Sequence, residues 1–302
     1  MRSSPLIFCG SSHPALGKEV ASLLGTTLGK LSISRFPDGE THIEVLEDVY
    51  GKDVFVLQTI ALDPNQYLME LLIIIDALKR ASAKSVVVII PYFGYCRQDR
   101  KDKPGEPITA KLVANLLTSA GTTRLITLDL HARQLEGFFE IPVDHILCQP
   151  VLMEAVNNKI SRDRVVVAPD LGSIKIAKKM ATLLHADLAL IEKNRINPHD
   201  VKMTLIGDVR GKDVLIGDDM CSTAGTLAAA ASKCKEGGAN KIFGAITHGL
   251  FVSDALDRIE KSPLDQVFVT NTIPQNHASP NKIVTLSIAS LIANALQHLL
   301  RT

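Results

Sequence analysis

The segment Val214–Thr226, with the sequence VLIGDDMCSTAGT, decides how the rest of the chain is interpreted. It begins as an apolar run typical of a buried strand and continues with two adjacent carboxylates, Asp218 and Asp219. A short Ser/Thr/Gly loop follows and opens an alanine-rich helical segment. A strand, a polar loop and a helix in this order form the repeating unit of α/β folds, whose ligands bind at the carboxyl ends of the strands. The segment therefore predicts an α/β fold with a ligand site after this strand.

The loop of this segment combines the donors of an anion site with acceptors for a sugar. Backbone N–H groups and hydroxyls at a helix N-terminus bind phosphate. The two carboxylates beside them can accept hydrogen bonds from vicinal sugar hydroxyls. This combination suits ribose 5-phosphate, and the alternative is a capped strand-to-helix turn without a ligand. The residues predicted to bind ribose 5-phosphate are Asp218, Asp219, Ser222, Thr223, Ala224, Gly225 and Thr226.

Short β-rich apolar runs alternate with helical patterns along the whole chain. Apolar residues recur at helical spacing in Asn65–Ala81, and the apolar segment Ile283–Leu300 also predicts a helix. The predicted strands include Pro5–Cys9, Asp53–Gln58, Ser85–Pro91, Leu125–Leu128, Arg164–Ala168, Asp187–Ile191, Asp213–Gly217, Lys241–Thr247 and Gln266–Val269. This alternation predicts parallel sheets that are flanked by helices.

The chain resembles itself when it is shifted by 160 residues. Three separate segments share this offset, whereas one match alone would mean little. The residues identical to those 160 positions later include Lys18, Ala21, Leu23, Leu24, Leu28, Arg35, Val49, Gly51, Lys52, Asp53 and Val54. The pattern predicts two homologous α/β halves, residues 1–146 and 147–302. Similar βα units without a common origin are the alternative.

The composition excludes several classes of partner. The 302 residues carry 33 Lys and Arg against 32 Asp and Glu, so no broad basic field exists to bind nucleic acid or an anionic membrane. The most apolar stretch, Leu71–Ile75, is too short to span a membrane, and the first residues do not form a signal peptide. The five cysteines are scattered, as expected for reduced thiols in the core of a cytoplasmic protein.

Two further segments in the first half have the composition of a nucleotide site. In Arg35–Glu40, RFPDGE, Phe36 offers a stacking face, and Asp38 and Glu40 can accept from an exocyclic amine. By itself Pro-Asp-Gly is an ordinary turn signal. The second segment, Pro91–Lys103, is a mixed-charge loop directly after an apolar strand, which predicts that it lies at the ligand-binding edge of a sheet. A solvated charged loop is its alternative.

Two more segments carry groups suited to a metal-bound polyphosphate. His131 follows a strand and an acid in Asp129–Phe139, DLHARQLEGFF, so one ring nitrogen could reach a Mg²⁺-bound water or phosphate. Lys193 and Arg195 lie two residues apart in Ile191–Pro198, IEKNRINP, where they could close over a polyphosphate. A structural histidine and an ordinary surface hairpin are the alternatives.

Together these segments resemble, in order, the signatures of the ribose-phosphate pyrophosphokinases. Val214–Thr226 resembles the phosphoribosyl-binding motif of the type I phosphoribosyltransferase fold, and the resemblance extends from about Ser11 to Leu300. It implies two phosphoribosyltransferase-like halves. It also implies transfer of the diphosphoryl group of ATP to ribose 5-phosphate with Mg²⁺, giving phosphoribosyl pyrophosphate and AMP. A homo-oligomer, expected to be a hexamer built from dimers, is implied as well.

The resemblance assigns roles to individual residues. Lys193 and Arg195 become catalytic, Arg195 also contacts ribose 5-phosphate, and His131 and Asp170 are associated with the metal. The residues implied in ATP binding are Phe36, Asp38, Gly39, Glu40, Arg97, Gln98, Lys101, Asp102 and His131.

The sequence departs from the family pattern at three places. Ser222 replaces an acid, Asn194 replaces a cation, and Glu106 lies in a Pro-Gly-Glu-Pro segment where an anion-binding regulatory loop is usual. A carboxylate repels anions, so regulation by phosphate is not expected. Two interpretations stay open: an active synthetase with altered regulation, and a non-catalytic regulatory partner of a synthetase. A phosphoribosyltransferase would not need the segments of the nucleotide site.

Overall fold

The computed structural model of the protein describes residues 5–195, 201–275 and 281–301, with the backbone alone for residues 194, 195, 201 and 202. The helices are α1 (Pro14–Leu23), α2 (Pro64–Arg80), α3 (Thr109–Ala120), α4 (Gln149–Asn157), α5 (Ile174–Leu184), α6 (Gly225–Glu236), α7 (Ala255–Lys261) and α8 (Ala289–Arg301). The strands are β1 (Leu6–Cys9), β2 (Leu31–Arg35), β3 (Thr41–Val45), β4 (Asp53–Leu57), β5 (Ser85–Ile90), β6 (Arg124–Leu128), β7 (Val143–Ile146), β8 (Arg164–Ala168), β9 (Asp187–Arg195), β10 (Val201–Ile206), β11 (Asp213–Cys221), β12 (Ile242–Gly249), β13 (Gln266–Thr270) and β14 (Ile283–Leu286).

The first of two compact units comprises the residues up to Leu147, Thr272–Pro274 and the residues from Ser287 onward. Its sheet has five parallel strands in the order β1-β4-β5-β6-β7. The inner strands β4, β5 and β6 are buried at every residue but the first, as is typical of parallel strands with helices on both faces. Because these strands are parallel, the loops after β5 and β6 leave the sheet at the same edge.

The second unit comprises Cys148–Asn271 and Gln275–Leu286. Its sheet has seven strands in the order β10-β9-β8-β11-β12-β13-β14, and only the pair β9–β10 is antiparallel. The central strand β11 lies between β8 and β12, and its first five residues are buried. The predicted boundary between the two homologous halves, after residue 146, stays a prediction.

The two units repeat one topology at the offset found in the sequence. Helix α1 begins at Pro14 and α5 at Ile174, while β4 begins at Asp53 and β11 at Asp213. The strands β8, β11, β12, β13 and β14 follow one another in the second sheet as β1, β4, β5, β6 and β7 do in the first. The predicted fold class, two homologous α/β halves, is confirmed.

The hairpin that precedes the central strands differs between the halves. In the second unit β9 pairs with β8 over four residue pairs and extends the sheet. In the first unit β2 and β3 form a separate two-stranded sheet, and the bridge Ile7–Leu28 joins the approach to this hairpin to β1. The hairpin of the second unit is thus anchored to its sheet more firmly than that of the first.

One predicted helix begins too early. The segment Ile283–Leu300 was expected to be helical throughout, but Ile283–Leu286 forms β14 and pairs with β13. The helix starts at Ala289, whose N–H donates to the Ser287 hydroxyl at 3.1 Å. The prediction was wrong because the β-branched residues Ile283 and Val284 favour a strand, and because Ser287 is a start signal inside the apolar run.

The cysteines are free thiols, as expected, and all but the half-buried Cys9 are buried. Burial raises the pKa of Cys221 and of Cys234 to about 12. Cys9 also has a pKa raised to about 12, because its thiol is partly removed from water and because the Glu70 carboxylate lies near it. In the parts of the chain that the structure describes, no helix is long and apolar enough to cross a membrane.

The fully buried side chain of Ile216 gives a test of this core. Ile216 pairs with Val167 on β8 and with Gly244 on β12. We expect Ile216→Ala to destabilise the protein by about 3 kcal/mol, because it removes buried methyl groups and leaves a cavity. Thermal and urea unfolding measure the loss. Leu188→Ala on β9, where the side chain is 42% exposed, is the control and should change the midpoint little. Equal shifts for both variants would contradict the central position of β11.

Candidate active site

The acid pair Asp218 and Asp219 lies near the carboxyl end of β11, where the strand leaves the core. The residues before the pair are buried, and the pair itself is half-buried. The loop that follows ends at Ala224, which has φ 59°, and α6 begins at Gly225. The first N–H groups of a helix have no acceptor within the helix, so they are available to a ligand. The acid pair and this helix N-terminus therefore adjoin, as the sequence predicts. We call Ser222–Thr226 the phosphate loop.

The hydroxyl of Ser173 connects two carboxylates from neighbouring strands. Its Oγ lies 2.9 Å from Oδ1 of Asp170, which follows β8, and 2.9 Å from Oδ1 of Asp218 on β11. The Ser173 N–H also donates to Oδ1 of Asp170 at 3.1 Å. Ser173 is 4% exposed. Because its hydroxyl has one hydrogen, it can donate to one carboxylate and accept from the other carboxyl group when that group is protonated. The hydroxyl therefore holds the two carboxyl groups close together.

Asp218 holds its proton more tightly than an ordinary carboxyl group. Burial raises the pKa of Asp218 to about 8, and the charges of Asp219 and Asp170 act in the same direction. The hydrogen bond from Ser173 opposes them by stabilising the carboxylate. A buried carboxyl that is surrounded by like charges is prepared to lose its proton when a cation or hydrogen-bond donor arrives.

Lys193 brings a positive charge into this group of acids. It lies on β9 and is half-buried, and its Nζ is 3.2 Å from Oγ1 of Thr226 at the start of α6. The same Nζ is 3.9 Å from Oδ2 of Asp170. The ammonium group therefore lies between the phosphate loop and Asp170. Arg195 pairs with Val201 through its backbone, and its side chain lies outside the described residues, as does that of Asn194.

In the first unit, the loop after β5 is held by hydrogen bonds to the start of α3 and by an ion pair within the loop. Gln98 accepts from the Ala110 N–H through its backbone and from the Thr109 hydroxyl through its side chain, so the loop is attached to the start of α3. Arg100 pairs with Asp102 at 2.9 Å. Arg97 and Lys101 are exposed on the same loop.

Glu106 closes the end of this loop. Its Oε2 accepts the N–H groups of Asp102 and Lys103, each at 3.0 Å. A carboxylate of the chain itself therefore takes two backbone donors that would otherwise be open to an external anion.

The loop that carries His131 follows the neighbouring strand β6. Asp129 adopts φ 35°, and the next N–H, that of Leu130, donates to Nε2 of His145 at 3.0 Å. Nδ1 of His145 lies 2.7 Å from the Glu136 carboxylate. These contacts fix the backbone just before His131, whose side chain is exposed.

The loops after β5 and β6 meet at one edge of the first sheet. The side chain of Gln134 donates to Asp99 at 2.9 Å and connects them. The Arg97 segment and the His131 segment therefore adjoin, as expected from parallel strands.

Phe36 lies at the tip of the β2–β3 hairpin. Its ring is 49% exposed and makes an edge-to-face contact with His42 at 5.2 Å between centroids. Gly39, with φ 95°, allows the turn, and the Glu40 N–H donates to Asp38. The contacts of these residues described here are internal to the hairpin, so the role of the tip in ATP binding stays a prediction.

The predicted site residues fall into separate groups. Asp170, Lys193, Asp218 and Thr226 come together in the second unit through the contacts above. His131 belongs to the first unit and Asp170 to the second, so their association with one metal stays a prediction.

Ser173 was not predicted from the sequence to be part of the site. The signal was present, because a serine just before a helix is a typical capping residue. Its side chain contacts the two carboxylates instead of the helix N–H groups.

Family models and curated relatives cover most of the chain. A model of the N-terminal domain of ribose phosphate pyrophosphokinase matches residues 5–121, and a model of the phosphoribosyl synthetase-associated domain matches residues 193–302. The ribose-phosphate pyrophosphokinase of Bacillus caldolyticus is 46% identical over 292 residues, 96% of this chain and 93% of the relative. The chain belongs to the ribose-phosphate pyrophosphokinase family.

Other members of this family agree with the assignment. The ribose-phosphate pyrophosphokinase of Wolinella succinogenes is 48% identical and covers 97% of this chain, which covers 94% of that relative. The crystal structure of phosphoribosylpyrophosphate synthetase from Mycobacterium smegmatis is 39% identical, with a TM-score of 0.94 and 99% of each chain covered. The resemblance stated from the sequence motifs is thereby confirmed.

The pKa of Asp218 gives a test of the acid group. Because this pKa is raised from 3.8 to about 8, the stability linked to its proton is complete below about pH 4 and is lost as the pH rises through 8. We expect Asp218→Asn to raise the unfolding midpoint above that of the native chain at about pH 8.5, and the difference to shrink toward about pH 4.

Thermal unfolding with chelator and without substrates measures this difference. Asp257→Asn, at an exposed position on α7, is the control. A difference between Asp218→Asn and the native chain that stays the same at all pH values would contradict the raised pKa.

Proposed function

We propose that the chain transfers the β,γ-diphosphoryl group of ATP to the C1 hydroxyl of ribose 5-phosphate, giving phosphoribosyl pyrophosphate and AMP. The observation that carries this proposal is the position of Lys193, 3.2 Å from Thr226 and 3.9 Å from Asp170. A cation between a phosphate loop and a carboxylate suits a reaction in which a polyphosphate meets a phosphorylated sugar. Membership of the family supports the same substrates.

The phosphate loop would hold the 5-phosphate of the sugar. The N–H groups at the start of α6 and the hydroxyls of Ser222, Thr223 and Thr226 are donors to phosphate. Asp218 and Asp219 would accept from the ribose hydroxyls, and this orients C1 toward Lys193. A substrate hydroxyl that donates to Asp218 favours the carboxylate over the protonated acid.

The reaction implies a divalent cation, and the residues present fit Mg²⁺ if the substrate phosphates and water supply most of its ligands. Among the described residues, no group of three or more His, Cys, Asp or Glu side chains is arranged to hold a metal. Mg²⁺ is commonly held by one or two carboxylates together with substrate phosphates and water. Asp170, whose side chain is 39% exposed, suits this role, and His131 would contact the same hydrated phosphates. When bound, Mg²⁺ would neutralise charge on the diphosphoryl group.

The chemical step needs no covalent intermediate with the protein. The C1 oxygen forms a bond to the β-phosphorus while the bond from that phosphorus to the oxygen of the α-phosphate breaks. The electron pair leaves with AMP, and the hydroxyl proton is lost to water. Lys193 and Arg195 would stabilise the charge on the transferring group, and the carboxylates would position the attacking hydroxyl.

The ATP site would be formed by segments of the first unit. Phe36 would stack on the adenine, while Asp38, Gly39 and Glu40 line the same turn. The other nucleotide contacts are assigned to Arg97, Gln98, Lys101, Asp102 and His131. The exposed ring of Phe36 supports this assignment because a stacking partner must be accessible.

The expected oligomeric state and cellular location of the enzyme are those of its family. We expect a homo-oligomer, a hexamer built from dimers, that acts in the cytoplasm. Regulation by phosphate at the loop after Lys103 is not expected, because Glu106 already accepts two of its backbone N–H groups.

The decisive assay measures AMP formed from ATP, Mg²⁺ and ribose 5-phosphate by the purified chain. AMP and phosphoribosyl pyrophosphate in equal amounts are expected. The relatives matched over nearly the whole chain do not favour a non-catalytic regulatory partner. Ser222→Asp, which restores the acid usual in the family, separates the two. An inactive native chain that Ser222→Asp makes active would establish the regulatory partner instead.

Lys193→Ala tests the proposed catalytic charge. We expect turnover to fall about a hundredfold, which corresponds to about 3 kcal/mol of lost transition-state stabilisation, with a smaller effect on the KM for ATP. Steady-state kinetics at saturating substrates measure the change. Lys212→Ala, which breaks an ion pair with Asp187 in the same unit, is the matched control. A normal kcat with only a raised KM would mean that Lys193 contributes uniform binding alone.

Phe36→Ala tests the proposed adenine contact. We expect the KM for ATP to rise about tenfold while the KM for ribose 5-phosphate stays nearly unchanged, because stacking on the base is lost. Tyr50→Ala, which removes an aromatic ring that is 77% exposed in the same unit, is the control. Equal damage to both KM values by Phe36→Ala would indicate a structural role for the ring.

A further inference from the structure

The carbonyl groups at and just before the start of the phosphate loop accept hydrogen bonds from a segment on one side of the loop. The Cys221 carbonyl accepts the N–H groups of Leu250 at 2.9 Å and Phe251 at 3.2 Å, and the Ser222 carbonyl accepts that of Val252 at 3.0 Å. These donors belong to Leu250–Arg258, which we call the rear segment. In a trans peptide the C=O and the following N–H point in opposite directions. The N–H groups of Ser222 and Thr223 therefore point away from the rear segment.

Arg258 extends this arrangement to the next carbonyl. Its Nη1 lies 3.5 Å from the Thr223 carbonyl. Oδ2 of Asp254 takes the other side of the guanidinium, at 3.0 Å from Nε and 2.9 Å from Nη2. Because Arg has a planar fork of donors, this ion pair directs Nη1 toward the loop.

Two features of the loop lie beside this contact. A Cβ on Gly225 would lie 3.3 Å from Nη1 of Arg258, so the guanidinium lies against the backbone where α6 begins. Ala224 has φ 59°, a left-handed conformation that is unfavourable for a residue with a side chain. The loop therefore has to be held in its conformation from outside.

We propose that Arg258 is a positioning residue for the phosphate loop. By holding the Thr223 carbonyl at the rear, it fixes the left-handed turn at Ala224, whose own N–H is directed to Sγ of Cys221. The N–H groups of Gly225 and Thr226 at the start of α6 are thereby placed toward the 5-phosphate of ribose 5-phosphate. This inference rests on the proposed function, and it assigns to Arg258 a role in phosphate binding without direct contact with the reacting atoms.

Binding of ribose 5-phosphate, measured by calorimetry without ATP, tests the inference. We expect Arg258→Ala to weaken binding about tenfold, because the N–H groups of the loop are then less well positioned for the phosphate. Arg258→Lys should restore part of the affinity. The KM for ATP and the unfolding midpoint should stay close to those of the native chain. Arg80→Ala is the matched control, because Arg80 forms the same kind of ion pair with Asp76 four residues earlier on α2, at 2.7 Å.

Asp254→Asn distinguishes positioning from simple charge attraction. It leaves the Arg258 charge in place but weakens the ion pair that orients the guanidinium. We therefore expect weaker binding of ribose 5-phosphate. If Arg258 acted only through its charge, removing the negative Asp254 would strengthen binding and overturn the positioning role. Arg258→Ala that binds ribose 5-phosphate as tightly as an active native chain would also overturn it. A native chain that binds no ribose 5-phosphate would overturn the proposed function and this role together.

Discussion

The parallel pairing of β8 with β11 determines where the charged groups of the second unit lie. Four residue pairs, from Arg164–Asp213 to Val167–Ile216, fix the register of the two strands. Because both strands run in the same direction, Asp170 and Asp218 emerge at one edge, close enough to share the Ser173 hydroxyl. The neighbouring pair of β8 with β9 then brings Lys193 to the same edge. A slip of one residue in either pairing would turn these side chains to the opposite face of the sheet.

The first unit shows what the same scaffold looks like without these charges. At the positions 160 residues before Asp170, Lys193 and Asp218 stand Gly10, Ile33 and Gln58. There the Ser12 hydroxyl donates to Gln58 at 2.6 Å. The buried Glu70 accepts from the N–H and the hydroxyl of Ser11 at 2.7 and 2.6 Å. These four polar side chains of the first half form hydrogen bonds with one another, whereas the corresponding group of the second half includes an acid with a raised pKa and a lysine near it.

The sequence predicted the parts of the fold that have a strong local pattern. The strands Ser85–Ile90 and Arg164–Ala168 are continuous apolar runs, and the offset of 160 residues revealed the repeat. The strands β3, β7 and β14 were missed, because half-buried strands have a weaker pattern. The acid pair and the phosphate loop were found because they are adjacent in sequence. The bridging role of Ser173 and the raised pKa of Asp218 were not, since both depend on burial and on contacts between distant segments.

The buried thiol of Cys221 adjoins the phosphate loop. Its protonation state affects how readily this part of the site is oxidised. Its Sγ interacts with the Ala224 N–H, the residue is 4% exposed, and its pKa is raised to about 12. Oxidants and alkylating reagents attack the thiolate, which is scarce at neutral pH when the pKa is this high. The sulfur atom of Cys221, beside the phosphate loop, therefore behaves as an inert packing group. We therefore expect Cys221 to resist oxidants that would convert an exposed thiolate to an acid.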